Sequence, residues 1–127
     1  MHDKPKRILV VDDEADAIAY LSCLLQDEGY VVLAARDGKQ GFEMAQKERP
    51  DLITLDITMP QETGVRMLRN LHSDPSTRDI PVILVTGIDP NFEGFIARQR
   101  QIPPPVAYFE KPIDREKFLS EVKRLLP

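Results

Sequence analysis

The chemistry open to this chain rests on a few polar residues that close apolar runs. Asp12-Asp13-Glu14 follows Ile8–Val11, and Asp56 follows Leu52–Leu55. Farther along, Thr86-Gly87 ends the run from Val82, and Lys111-Pro112 comes after Tyr108-Phe109-Glu110. If these segments share one edge of a sheet, the carboxylates of Asp12, Asp13 and Asp56 meet a hydroxyl from Thr86 and an ammonium from Lys111. Crowded carboxylates repel, and without a counter-charge at least one has its pKa raised. A hard divalent cation removes the conflict. Mg²⁺ takes octahedral oxygen ligands at about 2.0–2.1 Å, commonly one or two carboxylates with waters and a substrate phosphate. A carboxylate beside such a cation can attack phosphorus and form an aspartyl-phosphate. Phosphoryl transfer then asks mainly for positioning and for neutralisation of the equatorial oxygens. Lys111 and the cation supply charge, and Thr86 supplies a donor.

The elements that must position these groups alternate between two periods. Short apolar runs at Ile8–Val11, Val31–Leu33, Leu52–Leu55 and Val82–Thr86, with a weaker one at Val106–Phe109, have the length and composition of strands covered on both faces. Between them lie helical spacings: Ile18, Leu21 and Leu25; Val65, Leu68 and Leu71; and Phe118, Val122 and Leu125 in a final helix. Gly29, Gly38 and Pro50 punctuate the boundaries, and Gly64 marks the turn into the third helix. Repeated strand–helix units joined by right-handed crossovers predict an α/β fold: a five-stranded, parallel, doubly wound sheet with helices on both faces. The flavodoxin-like order 2-1-3-4-5 puts the switch point between strands 1 and 3, and ligands bind at the carboxyl ends of strands near that point. Asp12, Asp13 and Asp56 end those two strands.

Composition bounds the rest. The 127 residues are expected to form a single domain over 1–127 with its core over about 6–126. Seventeen basic against twenty-one acidic side chains give a net charge of −4, which disfavours direct nucleic-acid binding through a basic stripe. No run is long enough for a signal peptide or a membrane span, so a cytoplasmic location and no membrane contact are expected. The single cysteine, Cys23, forms no internal disulfide and reads as a packed small residue in the first helix. Met59 and Met67 read as packing, and His2 and His72 lack a second histidine at ligand spacing.

Taken together, Val10-Val11-Asp12-Asp13-Glu14, Leu55-Asp56-Ile57-Thr58-Met59-Pro60 with Gly64, Val85-Thr86-Gly87 and Glu110-Lys111-Pro112 resemble the receiver domains of two-component response regulators, of the single-domain chemotaxis-regulator kind. The resemblance runs from about Lys6 to Leu126. It implies that Asp56 is the phosphoacceptor, Asp13 a direct Mg²⁺ ligand and Asp12 a ligand acting mainly through water. Asp56 and the backbone carbonyl of Thr58 would complete the protein's share of the metal shell, with Mn²⁺ as an alternative ion. Lys111 would pair with the phosphoryl group, preceding a cis bond to Pro112, and Thr86 and Tyr108 would form the switch pair. Thr58 and Ile88 match positions that tune hydrolysis of the aspartyl-phosphate, and branched, apolar Ile88 is expected to hinder the attacking water. The implied partners are a sensor histidine kinase or phosphotransfer protein and a downstream protein target or output domain. A phosphorylation-dependent dimer is compatible with the family. The signalling face would be the helix before the last strand, that strand and the final helix.

The chain departs from the family between strands 4 and 5. The usual Gly-Ala pair before the last strand does not occur, and Pro103-Pro104-Pro105 stop a helix over the preceding residues by about Gln101. Each site residue also has an ordinary explanation on its own. Asp12-Asp13-Glu14 could cap the first helix. Asp56 could be a loop residue before Pro60, Lys111 a solvated lysine and Thr86 a strand end. Two other functions compete with a phosphorylation switch that catalyses only its own phosphorylation and dephosphorylation. A Mg²⁺-dependent phosphohydrolase would use the same acids, but commonly has an Asp-x-Asp pair and a cap insertion. A receiver that only docks partners, unphosphorylated, would not need all five groups.

Overall fold

A computed structural model describes residues 4–59, 63–87 and 107–127. The strands are β1 (Arg7–Val11), β2 (Val31–Ala35), β3 (Leu52–Asp56), β4 (Val82–Thr86) and β5 (Ala107–Glu110). The helices among the described residues are α1 (Ala15–Asp27), α2 (Gly38–Glu48), α3 (Thr63–Ser73) and α4 (Arg115–Leu125). All strand pairs are parallel, in the order β2-β1-β3-β4-β5. This is the doubly wound arrangement expected from the alternation of periods. The expected helix before Pro103, with Ile88, Pro103–Pro105 and His2, lies outside the described residues.

Strict alternation of side chains across the pleat divides the core into two. Leu9, Val11, Ile53, Leu55 and Leu84 face α2 and α3, where Ala45, Val65, Met67, Leu68 and Leu71 complete one cluster with Met59. Ile8, Val10, Leu52, Ile83 and Val85 face the other way, onto Leu21, Leu24 and Leu25 of α1 and Phe118 and Val122 of α4. Phe118 is fully buried and meets Phe109 of β5 edge to face, with ring centroids 5.6 Å apart. Burial of this kind stabilises by roughly 1.5–3 kcal/mol per large apolar side chain. The pattern holds for β1, β3 and β4. Val31 and Ala34 are exposed, however, because β2 is an edge strand of the sheet.

Local signals set the helix ends. Asp37 caps α2 by accepting the Gln40 amide at 2.7 Å, and Asp114 caps α4 by accepting that of Lys117 at 3.1 Å; such caps contribute about 1 kcal/mol each. Gly29, at φ 90°, supplies the left-handed residue that ends α1 and turns the chain into β2. The Asp51 carboxylate takes the Arg7 amide at 2.8 Å, fastening the start of β3 to that of β1. One expectation is corrected. Cys23 is exposed rather than packed, because it sits about 200° around α1 from Leu21, on the face opposite the buried stripe.

Candidate functional site

β1 and β3 lie side by side, with Val11 opposite Leu55, so the residues after them emerge together. The chain of β1 runs one step past the strand, where the Asp12 amide donates to the Ala35 carbonyl at 3.1 Å. Asp12 is buried at 1% exposure and Asp56 at 3%. Asp13 is half-buried and Glu14 exposed. Carboxylate oxygens of Asp12, Asp13, Glu14 and Asp56 all lie within 4.8 Å of one another.

Lys111, just after β5, reaches this cluster from a position 99 residues from Asp12 in sequence. Its Nζ donates to Asp12 Oδ2 at 2.9 Å and to Asp56 Oδ2 at 3.1 Å, and Glu14 Oε1 lies at 3.5 Å. The lysine amide donates to the Thr86 carbonyl at 2.7 Å, tying the end of β4 to that of β5. The Lys111–Pro112 bond is cis.

Each buried acid has its two oxygens assigned to different donors. Asp12 Oδ1 accepts the Glu14 amide at 2.9 Å, while Oδ2 faces Lys111. Asp56 Oδ1 accepts both the amide and the hydroxyl of Thr58, at 2.8 and 2.6 Å, and Oδ2 again faces Lys111. Asp12 is therefore not capping α1. The N-cap residue is Glu14, and it makes no side-chain cap bond.

The electrostatics follow from burial. Desolvation pushes the Asp12 carboxyl above its ordinary value, and the Asp56 charge adds to this; the Glu14 amide and Lys111 offset only part of it. Burial alone would lower the Lys111 ammonium, but the hydrogen bond to Asp12 and the charges of Asp56 and Asp12 outweigh it and raise it. Among the described residues, one ammonium against four clustered carboxylates leaves net negative charge. The donor set is all hard oxygen, which fits a divalent cation such as Mg²⁺ and does not fit a thiophilic metal.

Thr86 is fully buried at the end of β4. Tyr108 is half-buried in β5 and packs against the α2/α3 cluster. The register pairs Leu84 with Tyr108 and Thr86 with Glu110, so Thr86 and Tyr108 share a face by alternation. Among the described residues, Asp12, Asp13, Asp56, Thr58, Thr86 and Lys111 thus lie at one sheet edge, with Tyr108 beside it on β5; Ile88 lies outside the described residues. Glu14, the last residue of the Asp12-Asp13-Glu14 motif, lies on the rim facing Lys111. One contributor was not legible in the sequence: Arg36 donates from its side chain to the Asp13 carbonyl. A charged residue just past an edge strand carries no sequence signal for such a contact.

Comparison with known proteins supplies the remaining context. The response regulator receiver domain family matches residues 8–123. The chain is 36% identical over 122 residues to protein Rrf1 of Nitratidesulfovibrio vulgaris, covering 96% of this chain and 83% of that one. It is 34% identical over 120 residues to protein PilH of Pseudomonas aeruginosa, covering 94% and 97%. Among solved structures, the chemotaxis protein CheY4 of Vibrio cholerae superposes with a TM-score of 0.82 at 27% identity, covering 96% of this chain and 99% of that one. A CheY-like receiver domain from Methanospirillum hungatei gives a TM-score of 0.82 at 27% identity, over 95% and 93%. Fold, acidic edge and sequence agree: this chain belongs to the response regulator receiver domain family of two-component signalling.

Proposed function

We propose that this domain is a phosphorylation-dependent switch that accepts a phosphoryl group on Asp56 in a Mg²⁺-dependent reaction. The observation that carries the proposal is the bridge of Lys111 Nζ between Asp12 Oδ2 and Asp56 Oδ2, inside a cluster of four carboxylates. Asp12, Asp13, Asp56 and the Thr58 carbonyl would hold the ion, Asp13 directly and Asp12 mainly through water. Bound there, Mg²⁺ would neutralise charge on the transferring phosphoryl oxygens.

The protein's own part is positioning. A carboxylate oxygen of Asp56 forms the bond to phosphorus as the bond to the donor's imidazole nitrogen breaks, and that nitrogen keeps the electron pair and takes a proton. Lys111 is already beside Asp56 Oδ2 and pairs with the incoming phosphoryl oxygens. Thr86, buried at the adjacent strand end, offers its hydroxyl to the product. Its displacement towards the phosphoryl group, with inward rotation of Tyr108, shifts an existing equilibrium between two packings.

The donor would be a sensor histidine kinase or a phosphotransfer protein, acting in the cytoplasm. An apolar cleft of about 230 Å³ between Ala17, Tyr20, Leu21 and the turn Lys111–Ile113 lies beside the lysine and gives such a partner a foothold. The output is contact with a downstream protein through the face that contains β5 and α4. Catalysis is confined to the domain's own phosphorylation and dephosphorylation.

The test is to incubate the protein with Mg²⁺ and acetyl phosphate and to record intact mass. A switch gives one labile phosphoryl adduct that is absent in Asp56→Asn. A phosphohydrolase would consume the donor without accumulating an adduct, and a docking module would do neither. The chain has no tryptophan, so indole quenching cannot replace the mass measurement.

A further inference from the structure

Arg36 stands between the end of β2 and Asp37, the N-cap of α2. Its amide donates to Gln40 Oε1 at 2.8 Å, which fixes its main chain on the first turn of α2. Its guanidinium crosses to the neighbouring loop, where Nη2 and Nε donate to the Asp13 carbonyl oxygen at 2.9 and 3.3 Å. The ladder makes this reach possible. Val11 pairs with Ala35 and the Asp12 amide bonds to the Ala35 carbonyl, so the next residue on each chain lies alongside the other. The grip is on the main-chain oxygen of Asp13 and therefore does not use up its carboxylate.

Two effects of this arginine oppose one another. Its positive charge disfavours a cation in the acidic cluster. Its hydrogen bonds fix the loop that presents Asp13, which favours the cation. Arg36 is exposed, so water and salt screen the charge effect, while the ordering of the loop is not screened. We propose that Arg36 is a positioning residue for Asp13, and that by clasping its carbonyl it raises the affinity of the acidic cluster for Mg²⁺ despite its own charge. This rests on the assignment of the cluster as a Mg²⁺ site.

The experiment is calorimetric titration of the full chain with MgCl₂, without phosphodonor, for wild type, Arg36→Ala and Arg36→Lys. Arg36→Ala is expected to bind Mg²⁺ about tenfold more weakly, the lower end of the loss seen when an outer partner of a metal ligand is removed. Arg36→Lys keeps the charge but loses the two-pronged contact, and is expected to stay weakened. Thermal unfolding without Mg²⁺ establishes that each variant is folded; if Arg36→Ala is not, Arg36→Gln takes its place. Wild-type affinity in either variant, or tighter binding in Arg36→Ala, overturns the clasp while leaving the Mg²⁺ site intact. Failure of the wild type to bind Mg²⁺ overturns the site assignment, and the clasp with it.

Discussion

Thr58 donates twice to one oxygen of Asp56, from its amide at 2.8 Å and its hydroxyl at 2.6 Å, so that Oδ1 is held by Thr58 and Oδ2 by Lys111. The hydroxyl bond stabilises the resting carboxylate, and in the proposed transfer the attack on phosphorus would draw electron density away from that oxygen. A hydrogen bond to a charged group contributes about 1.5–3 kcal/mol. Losing part of that in the ground state alone gives up to about tenfold in rate. Thr58→Val removes the hydroxyl and keeps the amide, and is expected to be labelled about threefold to tenfold faster by acetyl phosphate at saturating Mg²⁺. Labelling at the wild-type rate or slower would show that the hydroxyl supports the transition state at least as well as the ground state.

Burial of the ionised Asp12 carboxylate opposes folding. The folded-state pKa of Asp12 is raised above its ordinary 3.8, so ionised Asp12 subtracts stability above the folded value and ceases to do so below about pH 3.8. Asp12→Asn is therefore expected to raise the melting temperature in EDTA at pH 7, by about 3–5 °C for a gain near 1 kcal/mol. The gain should vanish in acid, and the variant should lose most of the stabilisation that Mg²⁺ gives the wild type. A lower melting temperature for the variant at pH 7 would mean that the pair with Lys111 outweighs the burial cost.

Lys111 carries the opposite sign. Its pKa is raised above 10.5, so the stability it lends is fully present below about pH 10.5 and is lost as pH rises through the higher folded value. Lys111→Met removes the one cation that, among the described residues, contacts both buried acids. Breaking a fully buried pair costs about 3–5 kcal/mol; with this lysine about one-fifth exposed, about 1–2 kcal/mol is expected at pH 7. Urea unfolding should show the deficit at pH 7 and the same deficit at pH 9, with a loss of the wild type's advantage only above about pH 10.5.

Gly64 lets the start of α3 touch the loop that follows Asp56. A Cβ there would lie 2.6 Å from the Asp56 carbonyl oxygen and 2.8 Å from Ile57 Cα, both main-chain atoms that cannot swing aside. Gly64→Ala is expected to cost about 1–3 kcal/mol by overpacking. It should also slow labelling of Asp56, because the relief available is a shift of that loop. Urea denaturation and the mass assay read the two effects separately.

Cys23 should react with a thiol reagent in the native state, at a rate close to that of a free peptide cysteine, since it lies on the exposed face of α1. Cys23→Ser is expected to change stability by less than about 0.5 kcal/mol. Protection of the thiol in the folded protein would place it in the core after all.

Much of this was legible in the residues. Periodicity alone places Leu9, Leu55 and Leu84 in one layer and Val10, Ile83 and Phe118 in the other. Strand ends followed by Asp12, Asp56, Thr86 and Lys111 mark the edge where chemistry gathers. Three things stayed hidden, for one reason: each depends on what lies across from a residue rather than on what lies beside it in sequence. Val31 looks like a core strand residue until β2 proves to be an edge. Cys23 looks packed beside Leu24 until the rotation of α1 is fixed by Leu21 and Leu25. Arg36 looks like surface charge until the pairing of Val11 with Ala35 sets it against Asp13.

The amide of Lys111 grips the carbonyl of Thr86, and among the described residues β5 has β4 as its sheet neighbour. The tips of these two strands are thus yoked through main-chain atoms, whatever their side chains do. A displacement of either tip reaches the other through this main-chain bond as well as through the hydrophobic interior.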